Sequence, residues 1–156
     1  MRPCLTTLAA LLFALTPLRS SSAQATARDS VLATVQRVFD AMRNRDTVGL
    51  REAFDSTARL VGGPTSPTAP ARSRGTSQFL ASIASTPADR ASDERMFDPE
   101  VRIDGPLAQV WTYYTFRQGT TFSHCGNDAL TLVRSGGTWR IVSFAWSIRT
   151  DCARKD

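Results

Sequence analysis

His124 is the only histidine in the chain, and its ordinary pKa lies close to neutrality. It sits in Ser123-His124-Cys125-Gly126-Asn127-Asp128, four residues before a carboxylate. That pairing offers a general acid/base, His124, oriented by Asp128. The same residues also have a structural reading. His124 can satisfy a strand end beside a disulfide, and Asp128 can cap the strand or pair with Arg149. Trp111, Tyr113 and Tyr114 offer aromatic surface to a ligand, although alternate aromatics on a strand ordinarily fill a core. Ser147 and Arg149 add polar groups further along.

Several chemistries find no support. A single His and the lack of a Cys-x-x-Cys pair argue against a zinc site. The chain has no glycine-rich phosphate loop, nucleophile elbow or dinucleotide fingerprint, so no cofactor is expected. Its net charge is +5, but the arginines are scattered singly from Arg28 to Arg149. Nucleic-acid binders cluster their charge, so no nucleic-acid partner is expected.

The N-terminus explains where such a domain would work. Arg2 precedes an apolar run from Leu5 to Leu18, and Ala23-Gln24-Ala25 follows. A charged start, a short apolar stretch and a small-x-small site form a secretory leader. The expectation is a removed signal peptide over 1–25, cut after Ala25 or Ala27, and a domain over 26–156. Thr6, Thr7 and Pro17 interrupt the run, which falls short of the roughly 20 apolar residues of a membrane span. The chain is therefore expected to be exported, to a periplasmic or extracellular location. Cleavage would remove Cys4 and leave Cys125 and Cys152, a disulfide candidate in an oxidising compartment.

The elements that must position these residues follow from periodicity. Val31, Leu32, Val35, Val38, Phe39 and Met42 form one helical stripe after a cap at Asp29 or Ser30. Asp46 caps a shorter helix with Leu50, Ala53 and Phe54 inward. Ala58–Val61 is a short strand, and 62–75 is a proline-bearing loop. A third helix starts near Thr76, with Phe79, Leu80 and Ile83, and stops before Pro87. The period then changes to two over Glu94–Ile103, Leu107–Arg117, Phe122–Arg134 and Thr138–Arg149. Asp104-Gly105 and Gly136-Gly137 suit hairpin turns. Helices followed by a meander predict a single α+β domain.

If Gly136-Gly137 is a two-residue turn, Ser135 faces Thr138 and Leu132 faces Ile141. Carried further, Leu130 faces Ser143, Gly126 faces Ser147 and His124 faces Arg149. His124, Asp128, Ser147 and Arg149 then share a face with Leu130, Leu132, Trp139 and Ile141. Phe144, Trp146 and Ile148 fall on the opposite face, which is too apolar to meet water unless helices or a second subunit cover it. A slip of one residue exchanges the two faces. In this register Cys125 faces Ile148, so Cys152 reaches it only if the chain curls back after Arg149 or bulges near Gly126.

Phe97-Asp98-Pro99-Glu100, Val110-Trp111, Ser123-His124-Cys125-Gly126 and Trp139-Arg140-Ile141-Val142 resemble the nuclear transport factor 2-like superfamily, which includes SnoaL-like cyclases and ketosteroid isomerase. Within it the chain is similar to small exported bacterial proteins grouped as "nuclear transport factor 2 family" or "putative lumazine-binding". The resemblance covers about Asp29 to Cys152, both Cys125 and Cys152 included. It implies a cone-shaped, curved antiparallel sheet wrapped around three N-terminal helices, with a pocket in the concave face. It also implies a homodimer formed through the sheet. The fold hosts many activities, so three functions are carried forward. The first is a binder of a small, mostly apolar molecule. The second is an isomerase, dehydratase or cyclase using His124, and the third is a non-catalytic dimeric interaction module.

Overall fold

The computed structural model describes residues 20–64 and 68–154. Most of the segment read as a signal peptide, 1–19, lies outside the described residues. Three helices come first: α1 (Ser20–Asn44), α2 (Thr47–Ala53) and α3 (Thr76–Ser85). Two strands, β1 (Phe54–Gly62) and β2 (Arg72–Gly75), lie between α2 and α3. A meander follows, of β3 (Ser92–Asp104), β4 (Leu107–Gln118), β5 (Thr121–Ser135) and β6 (Thr138–Trp146). None of the described helices is long and apolar enough to cross a membrane.

The strand order is β2-β1-β6-β5-β4-β3. The α+β expectation holds, with one amendment: the sheet is mixed. The β1–β6 pair is parallel and the others are antiparallel. β6 closes the meander beside β1 and runs in the same direction.

The apolar stripe of α1 packs where the periodicity places it. Val31, Val35, Val38 and Phe39 are fully buried, together with Leu50, Leu60, Leu132 and Ile141. Each such side chain contributes about 1.5–3 kcal/mol of burial. The helix start differs from expectation, because α1 already runs from Ser20 and places Ser30 in its interior. The Ser30 hydroxyl donates to the Ala27 carbonyl at 2.8 Å and accepts from Trp139 Nε1 at 3.1 Å. It pins helix to sheet instead of capping. Asp46 does cap α2, accepting from the Val48 and Gly49 amides at 3.0 and 2.9 Å. Phe54 is buried as expected but opens β1, so that strand is longer than Ala58–Val61. The last four residues of the 62–75 loop form β2.

Four strand pairs carry a register irregularity that bends the sheet, and the widest sets residues 55–58 of β1 against Val142 alone. On β3, Asp98 and Pro99 together oppose the single Thr112, with Asp98 at φ 51°. On β5 Ser123 is extra, and on β6 Val142 is. The β6 bulge corrects the register. Ser135 to Leu132 pair as expected about the turn at Gly136 and Gly137, both at positive φ. Beyond Val142 every pair shifts by one, so Leu130 meets Phe144 and Asp128 meets Trp146. Phe144 joins the core, which resolves the excess of apolar side chains on the outer face.

Candidate functional site

The bulge and the alternation of β4 and β5 bring Tyr114, Phe116, His124, Phe144, Trp146 and Ile148 to one cavity of about 240 Å³ between the sheet and α3. Phe79 and Ile83 of α3, Arg74 of β2 and Glu94 of β3 also line it. A larger open depression, about 760 Å³, lies between α2 and α3 and is lined by Arg51, Phe54, Leu80 and Arg140. The smaller cavity is the better candidate because it has the buried titratable groups. Perturbed titratable groups cluster at functional sites, and a mostly apolar hollow with a few polar groups is the usual form of a ligand pocket.

Asp128 is fully buried and Glu94 nearly so. Their carboxyl groups are within hydrogen-bonding reach of one another. Among the described residues, neither Asp128 oxygen meets an N–H or O–H donor. The nearest hydroxyl along the strand pair, that of Thr112 opposite Asp128, donates to the Phe97 carbonyl at 2.8 Å. With no other donor, Asp128 meets the Glu94 carboxyl only through a shared proton. Burial pushes the Glu94 carboxyl up to about 7, while its hydrogen bond with Asp128 pulls the other way. Burial, the Glu94 charge and that hydrogen bond all raise Asp128 well above the ordinary carboxylate range. Both carboxyl groups are raised, so the pair shares a proton at neutral pH and titrates as a unit.

Tyr114 lies on β4 between these groups. Burial, then the charges of Glu94 and Asp128, raise its pKa, so it stays a phenol. Its hydroxyl donates to the Ser147 carbonyl at 2.7 Å, crossing over Gly126. His124 stacks on Phe116 at 4.8 Å between ring centroids and meets Tyr114 edge-on at 5.8 Å. Its Nδ1 lies 2.9 Å from Ser123 Oγ. Burial lowers its pKa, which keeps the ring neutral at pH 7.

The remaining sequence candidates lie elsewhere. Trp111 is 53 % exposed and lies in a shallow groove with Glu100, Arg102, Gln109 and Thr131. Tyr113 donates to the Arg154 carbonyl at 3.1 Å and packs on Phe97. The Ser147 hydroxyl accepts from the Asn127 amide at 2.9 Å, and Arg149 donates to Asn127 Oδ1 at 3.3 Å. None of these four lines the 240 Å³ cavity. The Val142 bulge accounts for Ser147 and Arg149, which it turns to the other face. Sequence reasoning missed Glu94, which lines the cavity while its neighbour Asp93 is buried and paired with Arg43 and Arg95. Arg43 Nε donates to Asp93 at 2.7 Å and ties α1 to β3.

Cys125 and Cys152 form a disulfide, with Cα atoms 5.9 Å apart. The chain reaches it by curling back after Arg149, whose amide and carbonyl both bond to Cys125. No cluster of three or more His, Cys, Asp or Glu that could hold a metal occurs among the described residues.

The family model described as "Putative lumazine-binding" matches residues 26–147. Similar solved structures share the fold at low identity. An NTF2-like (nuclear transport factor 2-like) protein of unknown function from Silicibacter pomeroyi is 22 % identical, with a TM-score of 0.63, over 81 % of this chain and 98 % of that one. A protein of unknown function from Mycobacterium tuberculosis is 14 % identical, with a TM-score of 0.70, over 88 % of this chain and 78 % of that one. A "putative dehydratase from the NTF2-like family" from Streptomyces avermitilis is 17 % identical, with a TM-score of 0.64, over 81 % and 98 %. No curated protein matches the chain. The matched region spans most of the chain, which belongs to the family described as putative lumazine-binding and shares the fold of NTF2-like structures.

Proposed function

We propose that this protein is exported and binds a small, mostly apolar molecule in the cavity between the sheet and α3. One observation carries the reading: a cavity of about 240 Å³, walled mainly by aromatic and aliphatic side chains, with Glu94 of a proton-sharing pair on its surface. Binding sites are usually apolar hollows with a few convergent polar groups. The family description supports a small molecule as ligand. The secretory leader pattern and the Cys125–Cys152 bridge support an oxidising compartment. Native mass spectrometry of protein purified from its own envelope tests the reading. A bound small molecule supports it, and a uniformly ligand-free protein that retains no small molecule when challenged with an envelope extract contradicts it.

A second reading is favoured by Glu94 itself. A carboxyl group with a pKa near 7 on a cavity wall suits a general base or acid at neutral pH. In an isomerase, dehydratase or cyclase, Glu94 would move the proton and Asp128 would hold it in reserve. His124, kept neutral by burial, would then be a hydrogen-bonding wall group. The "putative dehydratase" among the structural neighbours lends this reading support. Glu94→Gln should retain the bound molecule and lower turnover by roughly 10²-fold or more. Unchanged turnover would remove Glu94 from that role.

The exposed Leu107, Trp111 and Val133 on β4 and β5 support a homodimer through the sheet. In that assembly Trp111 serves the interface instead of the ligand. The same surface is what an interaction module without chemistry would use.

A further inference from the structure

Arg74 is the only Arg or Lys lining the 240 Å³ cavity among the described residues. Its guanidinium sits 4.9 Å from the Phe79 ring centroid and 5.8 Å from that of Trp146. It donates one hydrogen bond to Ser82 Oγ, a long one at 3.3 Å. Among the described residues no carboxylate forms an ion pair with it. Burial disfavours its charge, and a guanidinium has five N–H donors to satisfy. A half-buried cation held between two rings without an anion is costly unless something negative arrives.

Its position shows where that anion would sit. A second cavity of about 440 Å³, lined by Gly62, Pro64, Pro70 and Ser73, shares Arg74, Trp146 and Ile148 with the first. Arg74 therefore stands at the junction between an outer and an inner chamber. The inner chamber presents Glu94, whose carboxylate accepts a hydrogen bond. Its size limits what enters. An apolar cavity of about 150 Å³ takes benzene, so about 240 Å³ takes one substituted ring.

We propose that the ligand is a small ring-bearing carboxylate. Its carboxylate pairs with Arg74 at the junction of the two chambers. Its ring fills the inner chamber, and a hydroxyl or N–H at the far end donates to Glu94. A carboxylate is favoured because it meets a guanidinium through two parallel hydrogen bonds. This assignment rests on the small-molecule reading above and adds the ligand's charge and shape.

The test uses the full oxidised chain with 4-hydroxybenzoate and its neutral counterpart 4-hydroxybenzamide, followed by calorimetry and by tryptophan fluorescence. Inorganic phosphate serves as an anion without a ring. The acid should bind at least tenfold more tightly than the amide, and phosphate should not compete. Arg74→Met should abolish that preference, and Arg74→Lys should keep part of it. If Arg74→Met does not fold, the Arg74→Lys ratio decides: a preference reduced from wild type supports the assignment, and an unchanged one overturns it. Equal binding of acid and amide to wild type overturns the anion assignment but leaves the small-molecule cavity standing. Failure of both rings to bind overturns both.

Discussion

Glu94 on β3 and Asp128 on β5 lie on strands separated by β4, yet their carboxyl groups are within hydrogen-bonding reach of each other. Neither is solvated enough to ionise freely, and Asp128 has no other donor among the described residues. The fold therefore holds a proton in its core at a pH where ordinary carboxyl groups have lost theirs. Such an arrangement costs stability and is kept where a site needs it.

That cost has a pH signature. The folded-state pKa of Glu94 is raised from an ordinary 4.5 to about 7. The folded state thus binds a proton that the unfolded chain releases. Stability falls as pH rises from about 4.5 to 7, by roughly 3 kcal/mol for this group, and Asp128 extends the fall upward. Its neighbour Asp93 behaves oppositely. Burial works against its charge, but hydrogen bonds from Arg43 and Arg95 outweigh it and lower its pKa. Its contribution is therefore present above about pH 4 and lost in acid. Urea unfolding between pH 4.5 and 8 should show declining stability in wild type and a flatter profile in Glu94→Gln. Equal or greater stability at pH 8 in wild type would contradict the raised pKa.

Gly126 leaves the gap through which Tyr114 reaches the Ser147 carbonyl. A Cβ there would fall 2.7 Å from the Tyr114 ring and closer still to that carbonyl oxygen. Gly126→Ala should destabilise by about 3 kcal/mol or more, because a packed strand pair must separate. A chemical-unfolding midpoint equal to that of wild type would show that the strands yield freely.

The Cys125–Cys152 bridge spans a sequence separation of 27 residues. On the chain-entropy estimate it stabilises by about 3.5 kcal/mol. Cys152→Ser should lower the unfolding free energy by about that amount and leave ligand retention intact, since Cys152 does not line the cavity. Two free thiols in the folded, air-exposed wild type would contradict the bridge.

Leu107, Trp111 and Val133 are 45 %, 53 % and 37 % exposed. If the sheet forms a homodimer, Trp111→Glu should convert it to a monomer in light scattering at micromolar concentration. A wild-type monomer across that range would leave these side chains without a partner.

Much of this architecture can be read from residue order. The α1 stripe, the Asp46 cap and the Gly136-Gly137 turn each carry a local signal, and local signals survive into the fold. The Val142 bulge carries none: nothing in Arg140-Ile141-Val142-Ser143 marks a residue to be left unpaired. That single insertion turns Phe144 and Trp146 inward and moves Ser147 and Arg149 off the cavity. Glu94 was illegible for a related reason. In Ser92-Asp93-Glu94-Arg95 it looks like one more charge on an exposed strand end, and only the curvature of the sheet carries it over Asp128. Asp128 stood out only through its spacing from His124, and its partner in the structure is a different residue.

At neutral pH Glu94, on the cavity wall, and Asp128, buried away from the cavity lining, share a proton. Carboxyl carbon-13 NMR of protein labelled at Asp and Glu, titrated from pH 3 to 10, measures it directly. The account predicts two coupled steps belonging to this pair, one near pH 7 and one higher, with Glu94→Gln removing the coupling. Ionisation of every carboxyl group below pH 5 would contradict it.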